Sequence, residues 1–530
     1  MSAQLAIDFV SPLPPVRSGI ADYSADLLPH LAQRCDVRLV RLSGQDVAPE
    51  TAERWPWVEP DRLGEDGRLP VYQMGNNQYH SEVYDLAMER PGVLTLHDLV
   101  LHHFLIERTV KVGDFDAYRG QLLRDHGWIG EAAAMPMRWP GGSGVASQFA
   151  LPAHRSLVSR QRGILLHSDW AAEWLQEEVP GLRVRSIPMG VPLGAQADAE
   201  AGIAFRTQYG LPLDKPLLGS FGFQTPMKRT DVVISALAAP ELAGVHLMVA
   251  GEVASILELE KRAAEAGVSD RVHLLGFLPF DQFEAAIAAA DLCLNLRYPT
   301  AGETSASLLR ILAIGRPAVV SDYAQSAELP NHGVVKIPVG DGESEVLVRE
   351  LAALLKTPER LRELGEAARR HVAANHRPEA AAQAVVEACC EWQALPLQSL
   401  EAAVPESPTS MTWKDLPGEL EVEGADLPWP QGERRTLRIR FANRSAARWL
   451  AGERLNGGVA IEVQVLVNGQ NLRADHRWIG LPVDLDPGEE FVFNFALRRP
   501  LGPVRLRVLP HVLGFTSFPD LGGPVWDAEI

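Results

Sequence analysis

Residues 215–251 are KPLLGSFGFQTPMKRTDVVISALAAPELAGVHLMVAG. The segments KPLLGSFGF and VHLMVAG are short apolar runs, as expected of buried strands, and KRTDVVISALAA between them has the apolar spacing of a helix. Parallel strands need a crossover connection, which is usually a helix. This stretch therefore predicts a parallel sheet covered by helices.

The same alternation extends in both directions along the chain. On the N-terminal side, four segments have the pattern of strands: QLAIDFV, DVRLVRL, LPVYQMG and GVLTLHD. The alternation of strands and helices restarts near Glu200 with a second series. Two α/β segments of similar size predict two facing, Rossmann-like, doubly wound domains. We place the first at residues 1–195 and the second, with its terminal helices, at 196–397.

Beyond these domains the composition changes. The Pro- and Ser-rich residues 398–411 predict a linker. Residues 412–530 contain short alternating runs such as RTLRIRFAN and EFVFNFAL, separated by turn signals, and this spacing predicts an all-β sandwich. Five of the 12 tryptophans lie here, and each is expected either in the sandwich core or exposed for stacking on sugar rings: Trp413, Trp429, Trp449, Trp478 and Trp526.

The overall composition excludes several classes of function. The 530 residues have a net charge of −18, which argues against broad binding to nucleic acid or anionic lipid. The four cysteines show no metal-ligand spacing and indicate a reducing compartment. Neither a signal peptide nor a transmembrane segment is indicated, so the sequence predicts a cytoplasmic protein.

Glu303 lies in the stretch GETSASLLRILAIGRP, directly before a predicted helix. Unpaired amides at a helix start form a seat for phosphate, and here they would be those of Thr304, Ser305 and Ala306. A carboxylate beside a bound anion is unfavourable unless it faces sugar hydroxyls. Two interpretations of Glu303 remain open. The side chain either contacts sugar hydroxyls or is only an acid in the first turn, where the helix dipole favours negative charge.

Lys228 and Arg229 follow a strand and a Gly-bearing loop and precede a helix. Two cations at this position could neutralise the charge of a bound diphosphate. The positive end of a helix dipole disfavours cations, so a ligand would explain their presence here. The other interpretation is a pair of solvated cations.

Two further positions follow strands in the first predicted domain. Gly19 would allow a ligand close to the backbone at the start of a helix, although Gly is also a common packing device there. His97 follows a strand, at the end where ligands bind in open α/β sheets. His102 and His103 lack the i, i+4 spacing of a helical zinc pair, so no metal site is predicted. A core role for His97 is the other interpretation.

Taken together, the motifs resemble retaining glycosyltransferases of the GT-B fold, in the large family four, over residues 4–395. The motifs, in chain order, are SPLPPVRSGIADYS, LHDLVLHHFL, LLHSDWAAEWL, SIPMGVP, GFQTPMKRTDVVISAL, HLMVAG, RVHLLGFL and GETSASLLRILAIGRPAVVSD.

The resemblance implies a nucleoside diphosphate sugar held mainly by the second domain and an acceptor held mainly by the first, without a cofactor or catalytic metal. Gly19 would then meet the donor phosphates and Lys228 would clamp them. His97 would contact the donor sugar or the acceptor, and Glu303 would contact the sugar hydroxyls.

The sequence departs from the family pattern at two positions. Alignment on Gly315–Pro317 places Arg310, seven positions after Glu303, where relatives commonly have a second Glu that grips the ribose. Arg310 would bind phosphate or form a structural ion pair. Phe223 stands where many relatives have an Arg, and Arg229 or Arg297 would supply that charge.

The sequence therefore predicts transfer of a hexose from a nucleotide sugar to a saccharide, glycolipid or other hydroxyl acceptor, with retained configuration, in synthesis of a surface polysaccharide or glycoconjugate. The alternative is a catalytically degenerate GT-B protein that binds glycans or scaffolds an assembly complex. The tail resembles immunoglobulin-like sandwiches appended to bacterial surface-polysaccharide proteins, which implies a protein or glycan partner.

Overall fold

The computed structural model describes residues 5–138, 145–194, 198–340, 342–397, 408–411, 415–452, 457–472 and 476–530. Trp413 and most of the predicted linker lie outside these residues. The chain forms two compact units. The first comprises Met1–Leu99 and Leu157–Ser399, and the second comprises Val100–Ser156 and Leu400–Ile530.

The first unit contains two parallel sheets. The strands of the first sheet have the order β3-β2-β1-β4-β5-β6-β7, and we call the part of the unit built on it the N-lobe. Its strands are β1 (Ala6–Val10), β2 (Asp36–Val40), β3 (Trp57–Val58), β4 (Leu69–Met74), β5 (Val93–Leu96), β6 (Gly163–Leu166) and β7 (Val184–Ser186).

The second sheet has the order β10-β9-β8-β11-β12-β13, and the part built on it is the C-lobe. All of its strand pairs are parallel. Its strands are β8 (Leu217–Phe221), β9 (His246–Ala250), β10 (Val272–Gly276), β11 (Leu292–Asn295), β12 (Ala318–Ser321) and β13 (Val334–Ile337).

Most helices of the first unit lie between successive strands, and three helices, the fourth to the sixth in chain order, belong wholly to the second unit. In chain order they are α1 (Gly19–Leu31), α2 (Pro49–Arg54), α3 (Ser81–Glu89), α4 (His102–Arg108), α5 (Phe115–Ala134), α6 (Val145–Ala150), α7 (Arg155–Val158), α8 (Asp169–Glu178), α9 (Ala199–Gln208), α10 (Thr230–Ala236), α11 (Leu259–Glu265), α12 (Phe280–Ala289), α13 (Ala306–Ala313), α14 (Glu343–Leu355), α15 (Pro358–Asn375) and α16 (Pro378–Gln393).

Helix α16 returns from the C-lobe to the N-lobe. It packs against α1 and places the ring of Trp392 over Gly163, where an added Cβ would lie 2.3 Å from the indole. Trp392, Cys389 and Val385 are buried in the same apolar cluster as strand residues of the N-lobe. Because apolar side chains of both lobes share this cluster, α16 fastens the two lobes together.

The second unit contains two antiparallel sheets. One has the order β14-β15-β19, and the other has β17-β16-β20-β21, with β18 on β16 and β22 on β20. The strands are β14 (Gly418–Glu423), β15 (Arg434–Asn443), β16 (Val459–Val467), β17 (Gln470–Asn471), β18 (Arg477–Gly480), β19 (Glu490–Arg498), β20 (Val504–Val512), β21 (Thr516–Ser517) and β22 (Trp526–Glu529).

Alternate side chains of both sheets form one core in this unit. Ile439 and Phe441 of β15 lie in the same buried cluster as Ile461 and Val463 of β16. The cluster also contains Ile129 of α5, with Ala150 and Leu151. Residues from the first third of the sequence therefore complete the core of the C-terminal strands.

The predicted fold class, two parallel-sheet α/β domains followed by an antiparallel β region, is confirmed. The domain boundaries at residues 195 and 397 remain predictions. Within the described residues, no helix combines the length and apolar character needed to cross a bilayer.

Candidate functional site

A cavity of about 770 Å³ lies between the two lobes of the first unit. The carboxyl ends of β1, β5, β8 and β11 lead into loops that border it, as is usual for ligand sites in open α/β sheets. Nine of the ten predicted site residues line the cavity: Gly19, His97, Lys228, Arg297, Glu303, Thr304, Ser305, Ala306 and Arg310.

Helix α13 begins at the cavity wall. Ser305 is its N-cap, and the side-chain oxygen of Ser305 accepts a hydrogen bond from the Leu308 amide at 3.3 Å. The buried face of α13 anchors the helix in the C-lobe, and the chain leaves it through Gly315 at φ +81°. The amide end of a firmly packed helix therefore faces the cavity, as the sequence predicted for a phosphate seat.

Glu303 is held by donors on both of its carboxylate oxygens. Arg297 Nη1 donates to Oε1 at 2.6 Å, and Oε2 accepts from the Ala301 amide at 3.0 Å and from the Thr300 hydroxyl at 3.1 Å. These contacts fix the carboxylate in the turn before α13 while it still lines the cavity. Glu303 is thus rigidly positioned, and its charge is balanced by Arg297.

Gly302 explains how this turn approaches the N-lobe. It has φ +80°, and a Cβ added there would lie 2.4 Å from Cβ of Leu99. Thr304 in the same turn donates from Oγ1 to the carbonyl of His167 at 3.2 Å. The turn that carries Glu303 therefore contacts the N-lobe at two places, which are the segments directly after β5 and directly after β6.

Lys228 lines the cavity close to the carboxyl end of β8. Its Nζ donates to the Phe221 carbonyl at 2.6 Å. Gly222 leaves room for this arrangement, since a Cβ there would lie 2.9 Å from Nζ. Burial and, secondarily, the nearby Arg297 lower the pKa of Lys228 to about 7, whereas Glu303 acts in the opposite direction. An arriving anion would favour the charged form.

Arg229, the tenth predicted residue, is not among the residues that line the cavity. Its backbone has φ +58°, which turns the side chain towards α14, where its guanidinium forms an ion pair with the buried carboxylate of Glu343. The two adjacent cations thus point in different directions. Of the two arginines considered as partners for Lys228, Arg297 is the one in the cavity wall.

His97 and Asp98 follow β5 at the bottom of the cavity. His97 Nε2 lies 2.9 Å from Gln73 Oε1, and its ring packs edge-on against Tyr23 and in a tilted arrangement against His167. Burial and, secondarily, His167 lower the pKa of His97 well below its usual value. Asp98 accepts from the Asn76 amide at 2.8 Å, and burial together with Glu303 raises its pKa to about 7.

Gly19 is the first residue of α1, capped by Ser18, and it lines the cavity. Its backbone is in an ordinary conformation, and a Cβ added there would have no neighbour within 4 Å. Neither strain nor packing therefore requires glycine at this position, so the packing interpretation loses its support. The open space lies on the cavity side of the helix start.

Arg310 makes an ion pair across the two lobes. Its Nη2 lies 2.6 Å from Oδ2 of Asp26 on α1. Asp22, one turn earlier on α1, also lines the cavity, and burial raises the pKa of both acids while Arg310 lowers it. Of the two roles considered for Arg310, the structure has the ion pair.

Sequence reasoning missed several cavity residues. Asp22 and Asp26 lie four positions apart on α1, and Asp98 directly follows His97. The i, i+4 spacing of two acids after the Gly19 loop was a readable signal, because it places both on one helix face. No pattern in the sequence pairs them with Arg310.

Part of the chain is similar in sequence to known glycosyltransferases. Residues 203–371 match the family model for glycosyl transferases group 1. The D-inositol 3-phosphate glycosyltransferase of Segniliparus rotundus is 30% identical over 205 residues, which are 36% of this chain and 43% of the relative. The enzyme of the same name from Mycolicibacterium smegmatis is 28% identical over 238 residues, 42% of this chain and 51% of the relative. The chain thus spans about half the length of these curated relatives.

Two solved structures share the fold of the lobes. Anabaena HepE, determined in complex with UDP-glucose, has a TM-score of 0.52 and 16% identity, and the match covers 73% of this chain and all of HepE. Sucrose-phosphate synthase from Thermosynechococcus elongatus also has a TM-score of 0.52 and 16% identity, over 74% of this chain and all of that protein. The sequence match to group 1 glycosyl transferases thus lies in residues 203–371, and the two solved structures share the fold of two paired parallel sheets.

Proposed function

We propose that this protein transfers a hexose from a nucleoside diphosphate sugar to a hydroxyl of a saccharide or glycolipid, with retention of anomeric configuration and without a catalytic metal. The observation that carries the proposal is the shared cavity: Lys228, the Glu303–Arg297 pair and the amide end of α13 all line one space between two lobes.

In this proposal the diphosphate lies between Lys228 and the start of α13. Negative charge develops on the departing diphosphate as the glycosidic bond breaks. Lys228, Arg297 and the amides near Ser305 are fixed before the reaction by hydrogen bonds to the protein, so they stabilise that charge without reorganising. Gly19 gives the phosphates close access to the start of α1.

Glu303 would bind the hydroxyls of the transferred sugar rather than attack its anomeric carbon. Its two oxygens already accept three hydrogen bonds, one of them from a guanidinium, and such contacts stabilise the carboxylate and weaken it as a nucleophile. His97 and Asp98 lie at the N-lobe side of the same space and would contact the donor sugar or the acceptor hydroxyl.

The names of the relatives narrow the chemistry to glycosyl transfer but leave the acceptor open. They include inositol phosphate glycosyltransferases and a lipopolysaccharide core mannosyltransferase from Rhizobium leguminosarum. HepE was solved with UDP-glucose, which makes UDP-glucose the first donor to test. A role in surface polysaccharide or glycoconjugate synthesis in the cytoplasm fits this group of relatives.

The direct experiment has two parts. The melting temperature is measured with UDP, GDP and ADP, since a ligand that binds the folded state raises it. The best nucleotide is then supplied as a panel of its sugars, with EDTA, and product is followed by NMR, which also reports the anomeric configuration. An inverted product or a strict metal requirement would contradict the corresponding part of the proposal.

One observation favours a second candidate, the degenerate scaffold protein. Arg310, at the position where relatives carry a ribose-binding Glu, is engaged by Asp26. If no nucleotide raises the melting temperature and no sugar nucleotide is consumed, the degenerate interpretation replaces the transferase.

A further inference from the structure

The tryptophans of the second unit differ sharply in exposure. Trp449 is fully buried in the core between the sheets, Trp429 is 6% exposed, and Trp526 packs against the same core. Trp478, on β18, is 50% exposed. Three of these tryptophans are therefore explained by packing, and Trp478 is not.

Trp478 is nevertheless held in a defined orientation. Its ring centroid lies 4.6 Å from that of His511 and 6.3 Å from that of His476. Strand pairing places Trp478 directly opposite Glu462 on β16, and His511 opposite the neighbouring Ala460. One sheet face thus presents a half-exposed indole beside two imidazoles, with a carboxylate under them.

The Glu462 carboxylate determines which nitrogen of each histidine is engaged and which remains for a ligand. Glu462 Oε1 lies 2.6 Å from His476 Nε2, and Oε2 lies 2.8 Å from His511 Nε2. Burial by itself would raise the pKa of Glu462, but hydrogen bonds from Gln464 and the two histidines outweigh it and lower the pKa. An ionised carboxylate only accepts hydrogen bonds, so both Nε2 atoms must carry hydrogen.

Because Nε2 of each ring is engaged by Glu462, Nδ1 is the second polar atom that each ring offers. Both histidine side chains are partly exposed. Within the part of the chain that the structure describes, Trp478 Nε1 has no acceptor, which leaves one donor beside them. A flat aromatic face bordered by an indole N–H and two imidazole nitrogens matches a pyranose, which has an apolar face and a rim of hydroxyls that both donate and accept hydrogen bonds.

We propose that Trp478, His476 and His511 form a binding surface for a neutral saccharide chain, with Glu462 as the positioning residue that orients both imidazoles through their Nε2 atoms. The choice of a saccharide rests in part on the proposed function, which supplies one as acceptor or product. The buried negative charge of Glu462 disfavours acidic sugars and phosphates at this surface.

The test measures binding of the full-length protein, without donor, to immobilised neutral, amino and acidic oligosaccharides. The variants are Trp478→Ala, Trp478→Phe, which keeps a ring without the indole N–H, and Val483→Ala, an exposed position in the same unit that serves as matched control. Each variant is first checked by its melting temperature. The best oligosaccharide is then titrated by calorimetry.

We expect Trp478→Ala to weaken binding of a neutral oligosaccharide by about fivefold or more, since aromatic stacking contributes roughly 0.5–1.5 kcal/mol in addition to the buried area. Trp478→Phe should lie between it and wild type, and Val483→Ala should match wild type. Oligosaccharide binding by Trp478→Ala equal to that of wild type would overturn the inference. A Trp478→Ala variant that loses binding to a protein partner but keeps oligosaccharide binding would overturn it as well.

The inference and the proposed function fail independently. Transfer to a small soluble acceptor is measured in parallel, and Trp478→Ala should retain it. Transfer without Trp478-dependent glycan binding refutes the inference and leaves the transferase standing. Trp478-dependent glycan binding with no transfer from any donor refutes the transferase and leaves the inference standing.

Discussion

Arg297 Nη1 lies 2.6 Å from Glu303 Oε1, and the two side chains form an ion pair in the cavity wall, immediately before the amide end of α13. Under the proposed function, the pair would keep a carboxylate within reach of the donor sugar, while the neighbouring guanidinium would offset its charge towards the phosphates. One short turn would then contact both halves of a nucleotide sugar.

The first prediction concerns Glu303→Gln. It keeps the shape of the side chain and removes the charge, so transfer should fall roughly 10- to 100-fold, the range expected for loss of a hydrogen bond to a charged group. Calorimetry should show that UDP-glucose loses affinity while UDP does not. If only the melting temperature changes, Glu303 is a first-turn acid and its sugar contact is refuted.

The second prediction concerns Lys228→Met. The ammonium lines the cavity at the end of β8, so its loss should weaken binding of both UDP and UDP-glucose, again by roughly 10- to 100-fold. Calorimetry with both ligands measures this. Wild-type affinity and transfer rate in this variant would refute the clamp.

The neighbouring cation supplies the matched control and a third prediction. Arg229→Met should leave nucleotide affinity nearly unchanged, because the side chain points to Glu343 and not into the cavity. Glu343 is only 3% exposed, so removing its partner should lower the free energy of unfolding by about 3–5 kcal/mol. Urea denaturation measures the loss, and Arg229→Met with Glu343→Leu should recover part of it.

Lys228 and Arg229 also show where sequence reasoning stops. The alternation of strands and helices predicted two facing α/β domains, and the family resemblance assigned His97, Lys228 and Glu303 to one donor site; all three line one cavity. Which of two adjacent cations faces it depends on the left-handed backbone of Arg229 and on a carboxylate 114 positions away. Neither has a local sequence signal.

The second unit illustrates the same limit at a larger scale. Period-two alternation in RTLRIRFAN and EFVFNFAL predicted β15 and β19 correctly. It contained nothing to indicate that Ile129 and Leu151 complete the core of those strands, because packing between distant segments leaves only apolar residues as its trace.

The fourth prediction is a pH dependence of donor binding. The free Lys228 has a pKa of about 7, and a bound diphosphate raises it, so binding above pH 7 requires proton uptake. Affinity for UDP-glucose, whose phosphates do not titrate in this range, should fall by up to tenfold per pH unit above 7. Below pH 7 Lys228 contributes no further change.

Asp98 acts in the same direction, since its raised pKa of about 7 makes it negative over the same interval. Lys228→Arg should flatten most of the dependence by keeping the cation, and Asp98→Asn should remove the remainder. Calorimetry in buffers of different ionisation enthalpy counts the protons directly. No proton uptake at pH 8 in the wild type would contradict the assignment.

The fifth prediction concerns the ion pair of Arg310 and Asp26, which joins the two lobes at the cavity. Arg310→Ala leaves two partly buried acids, Asp22 and Asp26, without their cation, and should reduce both stability and nucleotide affinity. The exchange Arg310→Asp with Asp26→Arg restores a pair of opposite charges. A double-mutant cycle on the free energy of unfolding should give a coupling of about 0.5–3 kcal/mol. A coupling near zero, with transfer lost in Arg310→Ala alone, would instead assign Arg310 to the donor phosphates.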